Sequence, residues 1–182
     1  MRYRRAHVEG GTFFFTLVTE RRRPLFREPA TVELVLQAIR KVRGRHPFQL
    51  EAYVILPDHL HALWTLPEGD TNFSMRWALI KEAFTRAYIA THDAPHRNES
   101  RRSKGEQSIW QRRFWEHAIS GNADFFKHLD YIHINPVHHG LVSAARDWPH
   151  SSFLEWAERG AYDPLWGSDE LPELPEWAKR HE

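Results

Sequence analysis

Two histidines separated by one leucine, His59 and His61, lie in an apolar stretch running from Ala52 to Thr65. In a strand, residues two apart project from the same face. Both imidazoles then point one way, and Leu60 points into the core. Side-by-side imidazoles are a ready pair of metal ligands. A second segment, Tyr131-Ile132-His133-Ile134-Asn135-Pro136, has helical character and sets Tyr131 and Asn135 four apart on one face. A phenol nucleophile and an amide oxygen then share one surface. Metal-assisted attack on a phosphodiester needs this combination. Each half alone has an ordinary reading: strand histidines at this spacing are commonly hydrogen-bonded core residues, and a lone helix tyrosine is commonly core packing. The chemical reading gains from the two halves together, and from Pro57-Asp58, a turn that puts the histidines at a strand end.

The elements that must position these residues follow from periodicity. Thr12 to Thr19 reads as a strand entered through Gly10-Gly11. Pro29 to Val42 reads as a helix with Val32, Leu36, Ile39 and Val42 on one stripe, ended by Gly44 and Pro47. Phe48 to Leu56 and His59 to Thr65 are strands. Phe73 to Ala90 is a second helix, carrying Phe73, Trp77, Ile80, Phe84 and Tyr88 along one side. Asp93 to Gln107 is polar and aperiodic and reads as a mobile loop. Ser108 to Ile119 holds the next strand, centred on Phe114 to Ile119. A helix follows, N-capped by Asn122 and stopped by Pro136 and Gly140. The order β-α-β-β-α-β plus a helix predicts an α+β, ferredoxin-like βαββαβ fold. Its antiparallel sheet carries helices on one face, and the C-terminal helix lays Tyr131 over the histidines.

The 182 residues suit one domain with a tail. The expected division is a catalytic domain over residues 1–146 and an irregular, acidic, Trp- and Pro-rich tail over 147–182. Zero cysteines exclude disulfides, thiolate zinc sites and a cysteine nucleophile. No stretch is apolar for long enough to span a bilayer, so a cytoplasmic protein with no membrane partner is expected. The net charge of +1 hides an asymmetry. Residues 1–113 carry 20 Lys+Arg against 12 Asp+Glu, whereas residues 114–182 carry 5 against 12. The split suggests a polyanion-binding face with an acidic appendage, solvated surface being the plainer alternative. Arg112 and Arg113, between Trp110 and Trp115, suit backbone neutralisation and base stacking on single strands. They equally suit a strand with aromatics inward and arginines outward. The acidic tail, with 9 acids against 3 bases over 147–182, could fold over the basic face and compete with DNA.

Five runs together resemble the single-tyrosine HUH transposases, and more closely the REP-associated tyrosine transposases of bacteria. They are Gly10 to Thr19, Leu56 to His61, Ile109 to His117, Asp130 to Val137 and Asp147 to Phe153. The resemblance implies a DNA strand transferase acting on single-stranded hairpins. His59, His61 and Asn135 would hold Mg²⁺ or Mn²⁺, and Tyr131 would form a 5′-phosphotyrosine. Arg4 and Arg5 on the N-terminal arm would contact DNA with Arg112 and Arg113. A monomer is implied, a dimer being the habit of the related insertion-sequence enzymes. A catalytically idle hairpin-binding protein and a water-using metal hydrolase are the competing readings.

Overall fold

A computed structural model describes residues 8–93, 95–163, 165–168, 172, 174, 175, 177 and 178. Arg4 and Arg5 lie outside the described residues. The elements are β1 (Thr12–Val18), α1 (Pro29–Arg45), β2 (Gln49–Ile55), β3 (His59–Thr65), α2 (Phe73–Thr91), α3 (Glu99–Arg102), β4 (Trp115–Ala118), α4 (Gly121–His138) and α5 (Phe153–Glu158). One four-stranded sheet has the order β2-β3-β1-β4, with every neighbouring pair antiparallel. This is the split βαβ arrangement that the element order predicts.

Strand alternation divides the side chains between two cores. Phe13, Phe15 and Leu17 of β1, with Leu60, Ala62 and Trp64 of β3, face α1 and α2. Phe14 and Leu63 face the other way, with Ala52 and Val54 of β2, and pack against Leu129, Tyr131 and Ile132 of α4. The sheet is therefore covered on both faces. On α1 the buried stripe runs through Val32, Val35, Ile39 and Val42, and Leu36 is only half-buried. On α2 the stripe includes a charge. Arg76 is buried, yet its guanidinium bonds Asp70 Oδ2 at 2.6 Å and the carbonyls of His46, Pro47 and Asn72. Full pairing removes the cost of burying it.

Four expectations change. The helix that carries Tyr131 does not stop at Pro136 but runs through it to His138. Its end is a Schellman turn, in which Leu141 N donates to Pro136 O and Gly140 N to Val137 O, both at 2.9 Å. Gly140, at φ 65°, supplies the left-handed residue this turn requires. At the other end Ser120, not Asn122, precedes the helix, and its N–H donates to Asp124 Oδ2 at 2.8 Å. The stretch read as a mobile loop is also built. It holds α3, and the buried Arg101 ties it down through Glu20 and the carbonyls of Gln107 and Trp110. The strand centred on Phe114 to Ile119 is β4, one residue shorter at each end, and further back Trp110 makes an isolated bridge to Thr19.

The described residues after Asp147 pack on the α4 side of the sheet. Trp148 Nε1 donates to Ile55 O at 3.0 Å and Trp156 Nε1 to Glu51 O at 2.8 Å. Gly167 lies so close to α4 that a Cβ there would meet Ile134 Cδ1 at 2.5 Å. Among the described residues, no helix is long and apolar enough to cross a membrane.

Candidate active site

β3 begins immediately after a two-residue hairpin turn, Pro57-Asp58, closed by Leu56 N donating to His59 O at 2.8 Å. The alternation of β3 sends His59 and His61 to the α4 face, with ring centroids 5.0 Å apart. α4 crosses above and places the Tyr131 ring 5.0 Å from that of His61, inclined at 62°. Asn135 is buried one helical turn further on. The fold thus brings His59, His61 and Tyr131 together and buries Asn135 on the same helix.

Each histidine is held by its Nδ1. His59 Nδ1 bonds Asp58 Oδ1 at 2.6 Å, and Arg22 Nη1 donates to the other carboxylate oxygen at 3.1 Å. Burial pushes the Asp58 carboxyl up, but the His59 bond and Arg22 outweigh it and hold the group below its ordinary value. His61 Nδ1 bonds Thr16 Oγ1 across the β1–β3 pair at 2.9 Å. Burial, with His59 nearby, holds His61 well below the usual histidine range, so it is neutral and able to ligate. Bonds of this kind, made by the ring nitrogen away from the site, fix ring orientation and leave Nε2 for a metal. His59 Nε2, His61 Nε2 and both amide atoms of Asn135 are buried without a hydrogen-bond partner among the described residues. Two imidazoles and an amide oxygen fit a divalent cation with several open positions.

A second polar cluster adjoins the site. Asp124 Oδ2 bonds His117 Nε2 at 2.9 Å, and Asp124 Oδ1 lies 3.1 Å from His128 Nδ1. The candidate ligand atoms of these three residues fall within 4.8 Å of one another, close enough for a cation. The two imidazoles are stacked at 4.7 Å and 15°, and each turns a nitrogen to the one Asp124 carboxylate, which clamps them together. Beyond His128 lies Trp177, stacked on it at 4.2 Å and edge-on to Tyr131 at 4.9 Å.

Around the site, His133 is buried, and its Nε2 bonds Ser152 Oγ at 2.9 Å. His138 and His139 are exposed, and the His139 ring lies 5.4 Å from that of His59. Trp110 is buried beside Phe26 and Phe84, and Arg112 and Arg113 are exposed. That is the aromatics-inward, arginines-outward alternative. Arg112 Nε bonds Glu106 Oε2 at 2.7 Å, away from the histidines. The sequence reading missed Thr16, Arg22, Asp124 and Trp177. Asp58 alone carried a signal, its place next to His59.

A curated REP-associated tyrosine transposase of Escherichia coli (strain K12) is 43% identical over 167 residues, covering 92% of this chain and 91% of the relative. The chain belongs to the REP-associated tyrosine transposases. A putative family member from Haemophilus influenzae (strain ATCC 51907 / DSM 11121 / KW20 / Rd) is 40% identical over 167 residues, 92% of this chain and 93% of that one. A solved family structure, a REP-associated tyrosine transposase bound to a REP hairpin, superposes with a TM-score of 0.78 at 41% identity. It covers 95% of this chain and 94% of the other. No family model matches the chain. Family membership makes this an enzyme of the transposase class on the fold described above.

Proposed function

We propose that the protein cuts and rejoins single-stranded DNA beside REP-type hairpins, with Tyr131 as nucleophile and His59, His61 and Asn135 holding Mg²⁺ or Mn²⁺. One observation carries this reading. The two Nε2 atoms and the Asn135 amide are buried without partners among the described residues, and the Tyr131 ring stands against one of those histidines. Buried polar atoms are nearly always satisfied, and unsatisfied ones call for a ligand. A cation held there would neutralise the phosphodiester and stabilise the departing oxygen.

The chain's own residues do the rest. Packing between β3 and α4 holds Tyr131 in one place, so attack has little positional entropy to lose. A free phenol has a pKa of ~10, so Tyr131 must give up its proton as it attacks. The Tyr131 Oη–P bond forms as the P–O3′ bond breaks, and the 3′ oxygen takes up a proton. The 5′ phosphate stays on the protein, which conserves the energy of the linkage. A 3′-hydroxyl attacking that ester joins strands and returns the proton to Tyr131. Arg4, Arg5, Arg112 and Arg113 contact the DNA backbone. Residues 1–146 form the catalytic unit, and residues 147–182 are an irregular, acidic addition to it. The enzyme acts as a monomer in the cytoplasm.

The test is a labelled library of single-stranded hairpins, incubated with Mn²⁺ or Mg²⁺ and run on denaturing gels beside Tyr131→Phe. The expected result is a metal-dependent band shifted by the protein's mass and absent from the variant. Cleavage surviving in Tyr131→Phe would instead identify a water-using nuclease. Binding without cleavage in either protein would identify an idle hairpin binder.

A further inference from the structure

On the α2 side of the sheet, opposite the histidines, a cleft between α2 and residues 101–114 encloses about 630 Å³. That volume suits a small ligand. Ala78, Ile89 and Phe114 give it apolar walls. Four cations line it, Lys81, Arg86, Arg101 and Arg112, against two acids, Glu82 and Glu106. Each arginine is already paired: Arg86 with Glu82 at 2.6 Å, Arg101 with Glu20, and Arg112 with Glu106 at 2.7 Å. Lys81 pairs with no carboxylate among the described residues. Its half-buried amine donates to Gln111 O at 2.7 Å and lies 5.9 Å from the centre of the Trp110 ring. Burial, and then the Arg101 guanidinium, disfavour its charged form, and Glu106 offsets them only in part. The amine is brought down to about 8 from the 10.5 of a free lysine.

We propose that Lys81 is a site of covalent acylation by small acyl phosphates, and that the cleft seats the reagent's phosphate beside the amine. Acylation needs an uncharged amine, and a desolvated lysine next to another cation supplies one near neutral pH. The excess of cations in the cleft favours a phosphate dianion. The apolar walls leave room for a short acyl chain. In the step, the Lys81 Nζ lone pair bonds to the acyl carbon as the bond from that carbon to the phosphate oxygen breaks. The displaced phosphate takes the amine proton, so the products are an amide and hydrogen phosphate. The amide keeps one N–H for Gln111 O but carries no charge beside the Trp110 ring. α2 thereby loses its cationic tie to the chain just before Arg112 and Arg113. Neither the metal ligands nor Tyr131 takes part, so the modification is independent of DNA cleavage.

The test uses the full wild-type chain, without DNA or metal, so no variant has to fold. Acetyl phosphate is added over a pH series from neutral to alkaline, and peptide mass spectrometry follows acetylation at each lysine. Near neutral pH, Lys81 should react at least about tenfold faster than the exposed Lys41, Lys104 and Lys127. Its rate should level off above about 8, while theirs keep rising. Inorganic phosphate should slow Lys81 several-fold and leave the others unchanged. An uncharged reagent, N-hydroxysuccinimidyl acetate, should also favour Lys81, but less strongly and without a response to phosphate. If Lys81 reacts no faster than the exposed lysines, or its rate climbs with theirs across the series, the assignment is overturned. Equal preference with both reagents and no effect of phosphate would overturn the phosphate seat, and acylation by acyl phosphates with it.

Discussion

The Tyr131 ring meets the His61 imidazole edge to face, with centroids 5.0 Å apart, although 70 residues separate them in the chain. The contact exists because α4 crosses the face of β3 that strand alternation gives to the histidines. Tyr131→Phe keeps that ring and removes only the hydroxyl. Cleavage and the covalent adduct should fall by at least about a thousandfold, while the melting temperature and hairpin affinity change little. A large loss of stability or of binding would show that the hydroxyl is structural.

Asp58 acts on the site through His59. Its carboxylate accepts a hydrogen bond from His59 Nδ1 at 2.6 Å and is itself held by Arg22. Asp58→Asn should raise the Mn²⁺ concentration needed for half-maximal cleavage about 10- to 100-fold, with much of the rate restored at saturating metal. Arg22→Ala should shift it in the same direction by less. A Mn²⁺ titration of the cleavage rate measures both.

Acid should destabilise the fold through the clamp beside Tyr131. Burial pushes His128 down to about 4, against ~6.5 for a free histidine. As pH falls below ~6.5 the unfolded chain takes this proton before the folded one, so the unfolded state gains. The contribution of His128 is therefore complete above ~6.5 and is lost progressively toward about 4. Asp124 has burial pushing it up, but the Ser120 amide, His117 and His128 hold it below its ordinary value. Its contribution is lost in more acid solution still. Melting temperatures between pH 7 and 4 should fall in the wild type and fall less in His128→Phe. Parallel curves would overturn the assignment.

Arg113 and Arg112 are exposed on the edge that leads to β4, and Arg112 is engaged with Glu106. Arg113→Ala should weaken binding alike for all hairpin sequences and reduce the salt dependence by roughly one counterion. Arg112→Ala should do less, because its charge is already paired. Hairpin affinity across a salt series separates the two.

Deleting residues 168–182 removes both Trp177 and the acidic end of the chain. Cleavage should quicken and DNA should bind more tightly, since the ring against Tyr131 goes with them. Unchanged rate and affinity at low salt would sink that expectation.

Much of this architecture is local, and local order is legible. The period of two across Thr12–Val18 and His59–Thr65 assigned each side chain to a face. The helical period put Tyr131 and Asn135 on one side of α4. Those two periods, with the order of elements, determined the sheet topology and the residues of the candidate centre. Local punctuation was less decisive. Pro136 reads as a stop, yet it sits in the last turn, where the Schellman bonds around Gly140 set the end instead.

What only the tertiary structure decided involves residues far apart in sequence. Arg101 turns an aperiodic stretch into a tied one because its guanidinium finds Glu20, 81 residues away. His133 is held in the core because Ser152, 19 residues on, meets its ring. Trp177 reaches Tyr131 because the tail folds back along α4. Side-chain periodicity records which face a residue takes within its own element. It carries no record of which distant residue will arrive there, because that depends on how the elements close on one another.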